Sequence, residues 1–230
     1  MKNVTVSLFA PDGSKLANET LVTENKDLET VFKVNDPILW NAEHPTLYKL
    51  VNNGFVFENY YQPLFTVSTS DGEYMFLNSL IPKEGVWSFY RSSNIYMPFG
   101  VGNVFKREGY STVNAYHDHT YTYYNRDESH PNLGFDKYIG CGNGLEELIN
   151  CKTWPESDVE MINATVDDYI SSDNFMTYYM TVSGHLQYTP NDNMMVSWNW
   201  SKVKDLNLSL HAKSYLACNI EFFSFVYFLK

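Results

Sequence analysis

Thr69-Ser70-Asp71-Gly72-Glu73-Tyr74-Met75-Phe76-Leu77-Asn78-Ser79-Leu80-Ile81-Pro82 is the stretch on which the fold turns. Ser70 and Glu73 stand at capping-box spacing, Ser at the N-cap and Glu at N3 of a helix. The apolar residues Tyr74, Met75, Leu77 and Leu80 follow, and Pro82 stops the helix. Before it lies an apolar stretch with Phe55, Phe57 and Tyr60, and after it strands and helices alternate. A second helix fits Pro98–Glu108, closed by Gly109 at C′. A strand over Ser111–Tyr116 leads into a His-rich loop. Ser157-Asp158-Val159-Glu160 is another capping box, opening a helix to about Ser171, and Phe175–Val182 is a β-prone run that ends at Ser183-Gly184-His185. This alternation predicts an α/β fold with a largely parallel sheet and active residues beyond the strands' carboxyl ends.

Upstream, the pattern is antiparallel β. Val4, Val6 and Leu8 alternate with Thr5 and Ser7, and Pro11-Asp12-Gly13 supplies a turn. A second strand fits Glu19–Val22 and a third Leu28–Val34, ended by Asn35-Asp36-Pro37. The expected domains are therefore a short β-sandwich-like segment, 1–44, and an α/β domain, 45–230.

With 44% hydrophobic and 19% charged residues, the 230-residue chain can bury a core. Eighteen Tyr, 15 Phe and 5 Trp supply a large packed interior or a ring-binding surface. A formal net charge of −11 argues against nucleic-acid binding, which depends on Lys and Arg neutralising phosphates, and against adhesion to anionic membranes. No apolar run reaches the length of about 18 residues that spans a bilayer, and Met1–Val6 alternates like a strand rather than a signal peptide. Cys141 and Cys151 flank a Gly-containing loop; they form one local bridge in an oxidising compartment or remain free thiols.

Three places carry candidate chemistry. Thr69 sits at the mouth of the first helix, where free N–H groups and the helix dipole favour a phosphate or sulfate oxygen. Its hydroxyl becomes a nucleophile if a divalent metal lowers its pKa. His117-Asp118-His119, with Tyr123, Tyr124 and Arg126 close behind, suits oxyanion recognition, since Arg offers a fork of donors and His donates hydrogen bonds or protons. His185 follows a strand's carboxyl end, a favoured position for a site residue. His44, His130 and His211 read as surface residues.

Four separate segments carry a resemblance: Phe57-Glu58-Asn59-Tyr60-Tyr61; Ser68–Tyr74 with Asn78–Pro82; Gly109–Thr112 into His117 and Tyr124-Asn125-Arg126-Asp127, then Leu133-Gly134-Phe135-Asp136; and Thr181-Val182-Ser183-Gly184-His185. Their order and spacing resemble lipoteichoic acid synthase-like proteins, phosphoglycerol transferases of the alkaline phosphatase and sulfatase superfamily, over about residues 45–220. The resemblance implies a partial sulfatase-like α/β sheet on the outer face of a bacterial membrane. It implies transfer of glycerophosphate from phosphatidylglycerol, or another phosphate ester, through a phospho-Thr intermediate with Mn²⁺ or Mg²⁺. By this resemblance Thr69 is nucleophile and metal ligand, and His117, Arg126 and His185 hold substrate. Tyr124 stands where relatives often carry Trp, and His119 where several carry Asp. The stretch before Thr69 departs from the family's acidic metal-ligand strand, and the Asp-His pair expected to complete the metal site lies beyond the last residue. The expectation is an incomplete metal site and little transferase activity. A sulfate or phosphate ester hydrolase, or a noncatalytic carbohydrate-binding β module, are the rival readings.

Val4–Val34 followed by Pro37-Ile38-Leu39-Trp40-Asn41-Ala42-Glu43-His44-Pro45-Thr46-Leu47-Tyr48 resembles, over about residues 3–50, the immunoglobulin-like domain of family 2 glycoside hydrolases. Their catalytic carboxylates lie on a separate barrel, so no glycosidase site carries over. The stretch from His44 to Leu50 fits both resemblances, and the expectation is a fusion of two gene fragments that meet near residues 43–50.

Overall fold

The computed structural model describes residues 2–9, 14–23, 32, 49–50 and 68–228. The chain divides into two compact units, Met1–Pro63 and Leu64–Lys230. In the first unit, β1 (Lys2–Phe9) pairs antiparallel with β2 (Lys15–Thr23), and β3 (Lys49–Leu50) adds to the other edge of β1. The alternation of Val4, Val6 and Leu8 thus marks a real strand, and its partner begins at Lys15, earlier than the expected Glu19. The turn at 11–13 and, apart from residue 32, the strand expected over 28–34 lie outside the described residues, as does His44.

In the second unit a three-stranded sheet has the order β5-β4-β6, with both pairings parallel. β4 (Thr112–Thr120) is central, between β5 (Lys137–Cys141) and β6 (Phe175–Met180). Strand alternation splits its side chains between two cores. Val113 and Ala115 join Leu77, Phe89, Leu133, Phe135 and Tyr138 on one side. That side is covered by α1 (Thr69–Asn78), α2 (Ser88–Arg91), α3 (Val101–Arg107) and α4 (Arg126–Asn132). Tyr116 joins Cys141, Leu145, Met161 and Tyr169 on the other, under α5 (Asp158–Thr165). Each large side chain sealed this way stabilises the fold by about 1.5–3 kcal/mol. Beyond β6, α6 (Met194–Val203) and α7 (Leu210–Phe228) pack through Met195, Val196, Val203, Ala217 and Cys218. No helix among the described residues is long and apolar enough to cross a membrane.

The α/β architecture with a parallel sheet is the one the alternating pattern predicts, and it leaves this unit no all-β reading. Several local expectations change. α1 starts two residues earlier than the capping box implies: Ser68 is the N-cap, and its hydroxyl bonds that of Ser70 at 2.8 Å rather than the backbone. Glu73 therefore caps nothing and is buried. α3 starts at Val101, three residues after Pro98, with Gly109 in the left-handed region (φ 85°) after its end, as a C′ glycine requires. The triplet His117-Asp118-His119 belongs to β4 rather than to a loop, because backbone pairing continues to His117, opposite Gly140 and Met180. Ser157 does cap α5, accepting from the Glu160 N–H at 3.1 Å, but the helix ends at Thr165 in a 3-10 turn, Val166–Asp168. His211 is exposed, but His130 is fully buried, stacked on Tyr138 at 4.4 Å, so its surface reading is wrong. Of the two options for the cysteines, the structure has the bridge: Cys141 and Cys151 are joined, with Cα atoms 5.8 Å apart, while Cys218 is a buried thiol.

Candidate functional site

Thr69 is the first residue of α1, and its side chain is exposed. One turn on, the same helix presents Glu73 inward. Its Oε2 accepts from Arg126 Nε at 2.9 Å and Nη2 at 2.6 Å, and its Oε1 accepts from the Tyr178 hydroxyl at 3.2 Å. Arg126, at the start of α4, is itself only 2% exposed. Burial works against the charge of each partner, and each charge then supports the other. Burial still leaves Glu73 above its ordinary range, whereas Glu73 raises the guanidinium of Arg126. This buried pair fixes α1, and with it Thr69, against α4.

From Arg126 a continuous line of rings leads along the sheet's carboxyl edge. The guanidinium lies 5.2 Å from the ring centre of Tyr124. Tyr124 meets Trp87 at 5.3 Å and Tyr123 at 4.3 Å; Tyr123 meets His119 at 5.5 Å. His119 meets His117 at 5.9 Å and Trp154 at 5.3 Å, and Trp154 meets His185 at 4.9 Å. Tyr124 and Asn125 both take left-handed backbone conformations, φ 60° and 54°. For an aromatic residue that is costly, and such strain clusters at functional sites.

The three imidazoles are oriented differently. His117, buried, donates from Nδ1 to the Met180 carbonyl at 2.8 Å, which leaves Nε2 as a lone pair. Burial, and then the charge of Arg126, lower its pKa to about 3, so this imidazole is neutral. His119 gives its Nδ1–H to Glu156 at 3.2 Å, and exposed His185 gives its own to the Leu186 carbonyl at 2.6 Å. The structure thus joins His117, His119, Tyr124, Arg126 and His185 in one network and ties Thr69 to it through α1. Sequence reasoning overlooked Glu73 as the partner of Arg126, and Trp87, Trp154 and Glu156 as site neighbours. The aromatic surplus was the signal for the rings, but nothing local pointed to the carboxylates.

Among the described residues, no three His, Cys, Asp or Glu side chains converge as a metal-binding set. A hard divalent ion needs several oxygen donors, so these residues do not fit one.

The sulfatase family model matches residues 40–196. The chain belongs to the sulfatase family. The lipoteichoic acid synthase-like protein YvgJ of Bacillus subtilis (strain 168) is 21% identical over 193 residues, 82% of this chain and 31% of that protein. The chain therefore spans about a third of that relative's length. The crystal structure of the lipoteichoic acid synthase LtaP from Listeria monocytogenes shares the fold, with a TM-score of 0.55 and 21% identity over 74% of this chain and 41% of that one. Both are lipoteichoic acid synthase or synthase-like proteins, and the likeness to the solved one is a likeness of fold; members of the sulfatase and alkaline phosphatase superfamily act on phosphate esters and generally use divalent metals. A second model, glycosyl hydrolases family 2, matches residues 2–53, and the two matches overlap over residues 40–53.

Proposed function

We propose that the α/β unit recognises a phosphate ester of glycerol, in the manner of the phosphoglycerol transferases it resembles, with the Thr69 hydroxyl as the group that takes up phosphorus. One observation carries this reading: Thr69 is exposed at the first position of a helix whose N-cap side chain makes no bond to the backbone. The helix dipole there favours a negative oxygen. Arg126, held one turn away by Glu73, adds positive field, and the neutral His117 offers Nε2 to a glycerol hydroxyl. In transfer, the Thr69 oxygen bonds phosphorus and loses its proton, while the diacylglycerol oxygen leaves and takes a proton up. An unaided Thr hydroxyl is a weak nucleophile near neutral pH, so binding is the property to measure first. The Cys141–Cys151 bridge supports an oxidising, extracellular setting.

Calorimetric titration with glycerol phosphate, with and without Mn²⁺, tests the reading. Saturable binding that weakens in His117→Ala and in His185→Ala is expected. No binding, or binding indifferent to both substitutions, overturns it. Equal binding of a sulfate monoester assigns an ester hydrolase instead.

A further inference from the structure

Asp118 stands between His117 and His119 on β4, and strand alternation turns it away from both, towards the start of α5. It is fully buried, and neither carboxyl oxygen has a hydrogen-bonding donor from another described residue; its own backbone N–H lies beside it. What it meets is the carboxyl of Asp158, also fully buried. Asp158 is well supplied. Its Oδ1 accepts from the N–H groups of Val182 at 2.8 Å and Ser183 at 3.3 Å, and its Oδ2 accepts from the Ser183 hydroxyl.

Two carboxylates only accept, so their contact is repulsive unless one carries a proton. Among the described residues, no cation near the pair removes that need. His117 Nδ1 lies 3.9 Å from Asp118 Oδ1, but its hydrogen is committed to Met180 and the ring is neutral. His119 serves Glu156, whose other oxygen, Oε2, also lacks a donor and adds negative charge. From α7, Glu221 takes the Ser157 hydroxyl and the Cys218 thiol donates to the Ser183 carbonyl at 3.1 Å; neither brings positive charge.

We propose that Asp118 and Asp158 share one proton, and that this acid–carboxylate hydrogen bond fixes the turn bearing His185 to the strand end bearing His117 and His119. Asp118 is the protonated partner, because the donors on Asp158 favour its anion while Asp118 has none from any other described residue. Burial, followed by the charge and hydrogen bond of Asp158, accordingly holds Asp118 well above the ordinary carboxylate range. Asp118 is then a positioning residue, acting on Val182–His185 through Asp158. This second half rests on the proposed phosphate-ester site; the shared proton does not.

Infrared spectroscopy of the full chain at neutral pH tests the proton directly. A protonated-carboxyl stretch is expected that disappears in Asp118→Asn and persists in His185→Ala. Asp118→Asn supplies a permanent donor, so the loss of stability expected of the wild type as pH rises above the ordinary carboxylate range should vanish in it. Absence of the band, or identical pH slopes in wild type and Asp118→Asn, overturns the shared proton. Positioning is read from glycerol phosphate binding, expected to weaken about tenfold in Asp118→Ala and to be rescued in Asp118→Asn. Unchanged binding in Asp118→Ala overturns the positioning role. Failure of the wild type to bind overturns the phosphate-ester site, and the positioning role with it, while the infrared band still decides the proton.

Discussion

On one side of β4, Glu73 and Arg126 bury opposite charges together; on the other, Asp118 and Asp158 bury like charges. The first pair is satisfied by fixed side chains, with Arg126 donating twice to one carboxylate oxygen. The second is satisfied only by taking up a proton, whereas the first needs none. The strongest way to break the contrast is to remove one member of the opposite-charge pair. Glu73→Gln or Arg126→Ala should cost about 3–5 kcal/mol, because either leaves a buried charge uncompensated. Urea unfolding measures it, and the double variant Glu73→Leu/Arg126→Met should lose less than the worse single change.

Two imidazoles set the acid limb of the stability profile. His117 and His130 are buried, and burial followed by the charge of Arg126 lowers both, His130 well below its usual value. The folded state then binds fewer protons than the unfolded chain. Their contribution is present above the ordinary imidazole range and falls by about 1.4 kcal/mol per pH unit for each as pH drops below about 6.5. Asp118 works oppositely: its contribution is present in acid and fades as pH rises. A stability maximum between the two limbs is expected from thermal melts. His130→Phe should flatten the acid limb and leave the alkaline one intact.

Reduction of the Cys141–Cys151 bridge comes next. It closes a loop of sequence separation 10 on the Asp118 side of the sheet, and opening it should cost about 2–3 kcal/mol by the loop-entropy argument. Melts with and without reductant, set against Cys141→Ser/Cys151→Ser, measure the effect. The Glu73–Arg126 side lies across the sheet, so its coupling in the double-variant comparison should be unchanged.

How far the sequence disclosed all this follows from the range of each interaction. Gly109, Ser157 and the β-prone run at 175–182 act within a few residues, so the helix end, the cap and the strand were legible. The sheet followed because strand–helix alternation has few compact solutions. Glu73 was misread because a Glu three residues after a Ser fits a capping box, whereas its actual partner is 53 positions away. His130 looked like a surface residue because Tyr138 and Phe135, which enclose it, are brought there by tertiary packing. The triplet at 117–119 looked like a loop because polar residues rarely continue a central strand. They do so here at its carboxyl end, where the site residues gather. The burial of Asp118 left no local trace, since only its meeting with Asp158 makes it unusual.

The smallest effect on stability should come from Tyr124, and it separates strain from binding. Its left-handed backbone costs about 1 kcal/mol that glycine would not, while its ring contacts with Trp87 and Tyr123 return about 0.5–1.5 kcal/mol each. In Tyr124→Gly the two lost contacts exceed the relieved strain by at most about 2 kcal/mol, so the melting temperature should fall only slightly. Glycerol phosphate binding should nonetheless weaken, because the ring beside Arg126 bridges the ion-paired side to His119 through Tyr123. If Tyr124→Gly instead stabilises the protein and leaves binding untouched, the strained backbone serves no site, and the line of rings is packing alone. If binding falls while stability holds, the strain is retained for the ring's placement, and the two buried charge pairs act on one ligand from opposite sides of the sheet.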